Sequence, residues 1–245
     1  MELRIGCCGW AALRPADVGE ADWRGRFSHK LQLYALHFPL VEVNSTFYRL
    51  PRPFTADRWR ALADGVNREF EFAVKVHQDI THKARFRGRE AREAWARSAE
   101  VAHRLRAKIL LLQCPASFGP TPQNMDALCG FLAAVDRDAF LLVWEPRGEW
   151  GENPERVAGI CREFSLVHCA DPFKALPVTA GPIAYLRLHG SPPGERMYRY
   201  TYTDQDLQFL VEQVRSLEAE AVYVLFNNDT MARDALRFRR LVEQG

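Results

Sequence analysis

Eight short apolar runs punctuate the chain, and most of the residues between them repeat with helical period. The runs are LRIGCC (Leu3 to Cys8), LVEVNS (Leu40 to Ser45), FEFAVKV (Phe70 to Val76) and AKILLLQC (Ala107 to Cys114). The second four are AFLLVWEP (Ala139 to Pro146), SLVHCA (Ser165 to Ala170), IAYLRLHG (Ile183 to Gly190) and AVYVLFNN (Ala221 to Asn228). Most are near-continuously apolar, as strands are in a parallel sheet covered on both faces. Helical patterns separate them: TADRWRALA, REAREAWARSAEVAHRLR, TPQNMDALCGFLAAV, PERVAGICREF, TDQDLQFLVEQVRSL and TMARDALRFRRLVEQ. Thr55, Thr121, Asn153, Thr203 and Asp229 are suited to N-caps, and Pro122 and Pro154 to first turns.

Strands alternating with helices predict an α/β fold of the (β/α)8 TIM type, one domain over residues 1–245. Only DPFKALPVTAGP separates the sixth and seventh runs, near the minimum for a crossover, so the sixth helix is expected to be reduced. An open doubly wound sheet is disfavoured because no GxGxxG opens the first helix.

Against this apolar frame the polar residues gather at one end of each run, the C-terminal end, where barrels carry their chemistry. The second run offers Glu42 and Asn44, two apart and so on one face of a strand, and the third offers Lys75 and His77. The fourth ends in Gln113. The fifth ends in Glu145, with Arg147 beyond, and the sixth leads to Asp171. Arg187 and His189 close the seventh, and Asn227, Asn228 and Asp229 the eighth. Buried ions cost several kcal/mol each unless paired, so a ligand-binding role is expected for the set. Tyr48 and Tyr198, with Trp10, Phe47, Trp150 and Tyr200, follow strand ends and suit a pocket wall, whereas Trp59 and Trp95 sit in helical patterns and suit the core.

Composition narrows the function classes. A formal charge of +2 gives no global drive toward nucleic acid or anionic membrane. No apolar run approaches the roughly 18 residues of a membrane span, and MELRIGCCGW lacks the apolar core of a secretory signal, so a cytoplasmic location is expected. The six cysteines form no CxxC pair and read as reduced, mostly core residues.

Seven segments also carry a likeness. GCCGW, VEVNSTFYRLP, FAVKVHQDITH, QCPASF, WEPRGEW, YLRLHG followed by a tyrosine-rich loop, and VLFNND stand in the order of the YecE-like family, domain of unknown function 72. The chain resembles that family from Ile5 to about Ala235. The resemblance implies a (β/α)8 barrel and no established activity. Cys7 and Cys8 stand where the family often carries small hydroxyl residues.

The residue types at the strand ends suit a small anion bearing phosphate or carboxylate, recognised by Lys75, Arg147, Arg187, His77 and His189 with amides from Asn44, Gln113, Asn227 and Asn228. Glu42 and Glu145 are the candidate acid and base, with Lys75 and His189 as further catalytic candidates. An enzyme, either hydrolase or isomerase/lyase, is the leading expectation, with no cofactor. Glu42, His77, Glu145, Asp171 and His189 leave a divalent metal as an alternative. Nucleic acid is the other: residues 83–108 hold nine Lys or Arg against three Glu, and ERMYRYTY sets tyrosines beside Arg196 and Arg199. The plainer view of that helix is a solvated face.

Overall fold

The computed structural model describes residues 1–137, 140–190 and 197–244; Ala139 and Arg196, singled out above, lie outside the described residues. Its strands are β1 (Glu2–Cys7), β2 (Leu40–Val43), β3 (Glu71–Lys75), β4 (Ile109–Gln113), β5 (Leu141–Glu145), β6 (Val167–Ala170), β7 (Ile183–Leu188) and β8 (Ala221–Phe226). They close into a barrel in chain order, and the paired strands run parallel. The helices are α1 (Trp23–Arg26), α2 (Lys30–His37), α3 (Pro53–Asp64), α4 (Gly88–Leu105), α5 (Pro122–Ala134), α6 (Pro154–Glu163), α7 (Asp204–Arg215) and α8 (Met231–Gln244). The expected barrel is therefore present. Residues 171–182, between β6 and β7, hold turns and no helix, so the reduction expected there is complete. Among the described residues no helix is long and apolar enough to cross a membrane.

By contact density the chain divides into two compact units, Met1–Glu42 with Arg58–Glu71 and Ala170–Gly245, and Val43–Asp57 with Phe72–Cys169. In the first, β8 pairs with β7 and β1 in one register, Ala221 opposite both Ile183 and Glu2. Tyr34 of α2 joins β1 to β2: its buried hydroxyl accepts from the Cys7 N–H at 2.8 Å and donates to the Leu40 carbonyl at 2.8 Å. Its ring stacks on Phe38 at 4.7 Å, the partner that their four-residue spacing predicts. In the second unit Ala73 pairs with Ile109, and Ile109 with Leu141, which aligns β3, β4 and β5. Helix α4 covers this unit with a stripe of Ala91, Ala94, Trp95, Ser98, Val101, Ala102 and Leu105, the three- and four-residue spacing of an amphipathic helix.

Caps decide several helix starts. The Thr203 hydroxyl accepts from the Asp206 N–H and Asp206 reciprocates on the Thr203 N–H, a capping box. Thr121 accepts from the Asn124 N–H, ahead of Pro122 in the first turn. Asn153 stands at the start of α6 without a side-chain cap bond. Two expected caps are displaced. Thr55 lies inside α3, which begins at Pro53, and Asp229 precedes Thr230, whose carbonyl takes the Asp234 N–H of α8. All six cysteines are free; Cys129 is half-buried and the other five are buried.

Gly6 sits where β1 and β2 approach most closely, and a Cβ there would stand 2.2 Å from the Leu40 carbonyl oxygen. Backbone cannot yield as a side-chain tip does, so Gly6→Ala is expected to force the strands apart and to destabilise the fold by about 1–3 kcal/mol or more. Urea unfolding measures it; an unchanged midpoint would contradict the close approach.

Candidate functional site

In the first unit the polar strand ends form one connected, buried chain of groups. Tyr185, Arg187 and His189 alternate along β7 and its extension, so all three project to one side. Arg187, 1% exposed, donates from Nε to Glu42 Oε2 at 3.0 Å and from Nη2 to Glu42 Oε1 at 2.8 Å. Glu42 is fully buried and also accepts from the Tyr185 hydroxyl at 3.0 Å. Arg187 Nη1 lies 3.2 Å from His189 Nε2. A guanidinium only donates, so Nε2 accepts and the ring proton sits on Nδ1, which faces Asp171 Oδ2 at 3.4 Å. The same carboxylate oxygen takes the His189 backbone N–H at 3.3 Å. Cys8 Sγ lies 3.6 Å from Arg187 Nη2. Burial, then the Glu42 charge, pushes the Cys8 thiol well above its ordinary range, against the pull of Arg187, so it stays protonated.

The residues after β7 and β8 brace each other. Tyr198 donates its N–H to the His189 carbonyl at 2.6 Å, and its ring meets the imidazole edge-on at 5.6 Å. The Gly190 N–H donates to the Tyr202 hydroxyl at 2.8 Å. Asn228 spends its amide group on the Tyr200 carbonyl, Thr230 and the fully buried Asp234, and its Oδ1 is buried without a hydrogen-bond partner. The half-buried Asn227 uses its N–H on the Leu188 carbonyl. Asn228 is thus a pin for the tyrosine segment.

In the second unit a different cluster occupies the ends of β3, β4 and β5. Lys75, 6% exposed, sets Nζ 4.1 Å from the centroid of Phe47, a cation–π contact. Phe47 meets His82 edge-on at 4.7 Å. Glu145, 5% exposed, takes both Nε and Nη2 of Arg147 on Oε1, at 2.7 and 2.6 Å. Gln113 lies opposite Glu145 in the ladder and donates to the Cys114 carbonyl at 3.0 Å. The Thr46 hydroxyl, 2.5 Å from the Val43 carbonyl and 2.7 Å from that of Lys75, ties the turn after β2 to the end of β3. Burial, then Lys75, Arg147 and Arg85, pushes His82 down to about 4, with Glu145 acting the other way. His168 is held at about 4 by burial, again against Glu145.

Several expected positions shift. Asn44 falls beyond β2 in a 3-10 turn spanning Asn44–Phe47, because the ladder stops at Val43; its Oδ1 is buried without a hydrogen-bond partner. His77 lies past β3, its Nδ1 against Asp79 Oδ2 at 3.1 Å and its Nε2 3.3 Å from the Tyr48 carbonyl. Tyr48 itself is exposed. Trp150 is a core residue, 1% exposed, donating to the Phe118 carbonyl and packed on Trp144. Trp10 packs edge-on against Trp59 at 4.9 Å. Along α4, Arg89 pairs with Glu93, and Arg104 with Glu100 and Asp57. Among the described residues no three His, Cys, Asp or Glu side chains gather in a way that could hold a metal ion.

Sequence spacing missed Phe47 as a cation partner and His82 altogether, and Arg85 entered only among the nine basic residues of 83–108. Tyr185 was missed too, although its place two residues before Arg187 on the same strand face could have found it. Asp171 was seen as a polar strand end, but its pairing with His189 was not.

Residues 4–244 match the family described as "Protein of unknown function DUF72". The chain belongs to that family. Protein YecE of Escherichia coli K12 is 36% identical over 107 residues, a match covering 43% of this chain and 37% of that protein. Protein YunF of Bacillus subtilis 168 is 24% identical, with 98% of this chain and 94% of that protein aligned. A DUF72 family crystal structure from Thermotoga maritima MSB8 superposes with a TM-score of 0.75 at 24% identity, covering 99% of this chain and all of that one. That likeness shows that DUF72 members share this barrel.

His82 and His168 give this DUF72 chain a calculable acid response. Both are neutral in the fold down to about 4, whereas an unfolded histidine protonates near 6.5. The unfolded state therefore binds more protons between those values, and stability falls as pH drops from about 6.5 to about 4. Discounted for partial exposure, each contributes on the order of 1–2 kcal/mol. Urea midpoints measured across that window should fall with pH, and His82→Gln with His168→Gln should flatten the slope. An equally steep slope in the double variant would refute the assignment.

Proposed function

We propose that this DUF72 chain is an enzyme for a small substrate bearing a phosphate or carboxylate, received at the C-terminal ends of β3 to β5 by Lys75 and Arg147, with Glu145 as the acid–base group. One observation carries the reading: Lys75 and Glu145, the last residues of β3 and β5, are 6% and 5% exposed, and Arg147 closes onto Glu145. Removing an ion from water costs several kcal/mol, and well-packed apolar residues would serve stability as well or better. Binding an anion is the purpose we infer for cations kept at these strand ends.

The proposed chemistry follows from differences in exposure. Arg147 is the most exposed of the three, with 23% of its side chain accessible. Its fork can turn from Glu145 to a substrate oxyanion, which releases the carboxylate for proton transfer. Gln113, on the strand between, adds an amide, and the unsatisfied Oδ1 of Asn44 accepts from a substrate hydroxyl. Arg187 suits the role less well, because Glu42 holds two of its nitrogens and His189 the third.

Titration calorimetry with inorganic phosphate and with acetate tests the reading. Lys75→Met keeps the apolar stem on Phe47, and Arg147→Met keeps most of its length. Each is expected to weaken anion binding by roughly 10- to 100-fold, the worth of one charge-assisted hydrogen bond at about 1.5–3 kcal/mol. Binding that neither substitution alters, or no anion binding by the intact chain, would remove the proposal.

A further inference from the structure

We propose that a second copy of this chain docks in the groove between α4 and α5, its own α4 running antiparallel to the first about a two-fold axis at Ala96. The groove lies wholly within the second compact unit. It shares no residue with the strand-end cluster, so the docking does not rest on the anion-binding reading.

The shape of the groove is the first support. It encloses about 610 Å³, and its floor is the buried Trp95, whose indole N–H donates to the Asp136 carbonyl at 2.8 Å. Ala96 and Ala99 of α4 and Ala134 of α5 are the small residues around that floor. A solvated helix face carries charged or polar side chains. The exposed residues of α4 between Gly88 and Leu105 follow that rule, with the exception of Ala96. A methyl group at the middle of an exposed face lets another helix approach closely, since the distance between packed helices is set by the side chains at the contact.

Charge selects the occupant. Arg92, Ala96 and Glu100 form one i±4 row along α4, Arg92 one turn before Ala96 and Glu100 one turn after it. A two-fold axis at Ala96 lays this row against its own reversed copy, so each Arg92 faces the partner's Glu100. Parallel rows would instead set arginine on arginine. Both charges are available for the pairing. Arg92 is exposed and has no ion pair among the described residues. Glu100 spends Oε1 on Nε and Nη2 of Arg104, and its Oε2 has no partner among the described residues. Arg104 in turn is held by Asp57 at 2.9 Å, which keeps it from competing for that oxygen. Alanines bury little apolar surface, so the dimer is expected to be of the weak, micromolar class.

Sedimentation velocity over a rising concentration series at low ionic strength tests the docking. The intact chain is expected to pass from monomer to dimer, and added salt should shift it back because the paired charges are exposed. Arg92→Glu and Glu100→Arg each set like charges face to face at two places, and each should weaken the dimer at least about tenfold. The double variant exchanges the two charges and should restore most of the affinity. Ala96→Lys, at an exposed position where lysine is a good helix former, should leave a monomer whose thermal melt matches that of the intact chain. A chain that stays monomeric throughout the series would overturn the proposal, as would a dimer that survives Ala96→Lys. Single charge variants that associate as tightly as the intact chain, or a double variant no better than either of them, would overturn the antiparallel register at Ala96.

Discussion

Arg187 and Glu42 take two opposite charges fully out of water within the first compact unit, and the orientation of the His189 imidazole follows from that pairing. A buried ion pair is weak evidence for stability, since its desolvation can exceed its Coulombic gain, but losing one partner is expensive, about 3–5 kcal/mol. Both carboxylate oxygens of Glu42 are engaged by the guanidinium, which fixes its plane. The remaining nitrogen then points at His189 Nε2, and that direction sets the imidazole tautomer facing Asp171. The second unit handles its charges differently. Arg147 meets Glu145 through one carboxylate oxygen, and Lys75 rests on an aromatic face.

The fold was legible because strands buried on both faces read as apolar runs, and every one of the eight runs overlaps a strand. Their ends were less legible. LVEVNS and AVYVLFNN each continue past the last ladder residue, at Val43 and Phe226, since apolar pattern does not register where pairing between strands stops. Asn44, Asn227 and Asn228 consequently belong to turns, with partners the strand pattern could not foretell. Thr203 and Thr121 signalled their helix starts through hydroxyls that do bond the first turn. Thr55 had the same chemistry three residues too late.

Spacing also identifies which side chains share a face and is silent on which of them pair. Arg187 and His189 were expected to meet a ligand because both are donors at a strand end; the structure gives Arg187 to Glu42 and places Asp171 behind His189. His82 had no signal, and Arg85 only that of one basic residue among the nine of 83–108. Glycine is the residue that announces left-handed backbone, and the glycine of this loop is Gly88, whereas Arg85 and Phe86 adopt the conformation as well. Only the aromatic packing of Phe86, a long-range property, explains why they do.

A cationic strand-end cluster has to be tolerated by the fold before any ligand arrives. The second unit has three devices that temper repulsion there. The face of Phe47 carries partial negative charge and sits under Lys75. His82 gives up its proton, driven first by its burial and then by the neighbouring cations, and so adds no positive charge of its own. Glu145 supplies the carboxylate, shared closely with Arg147. Repulsion among the cations is thereby lowered by an aromatic face, a neutral imidazole and a carboxylate together.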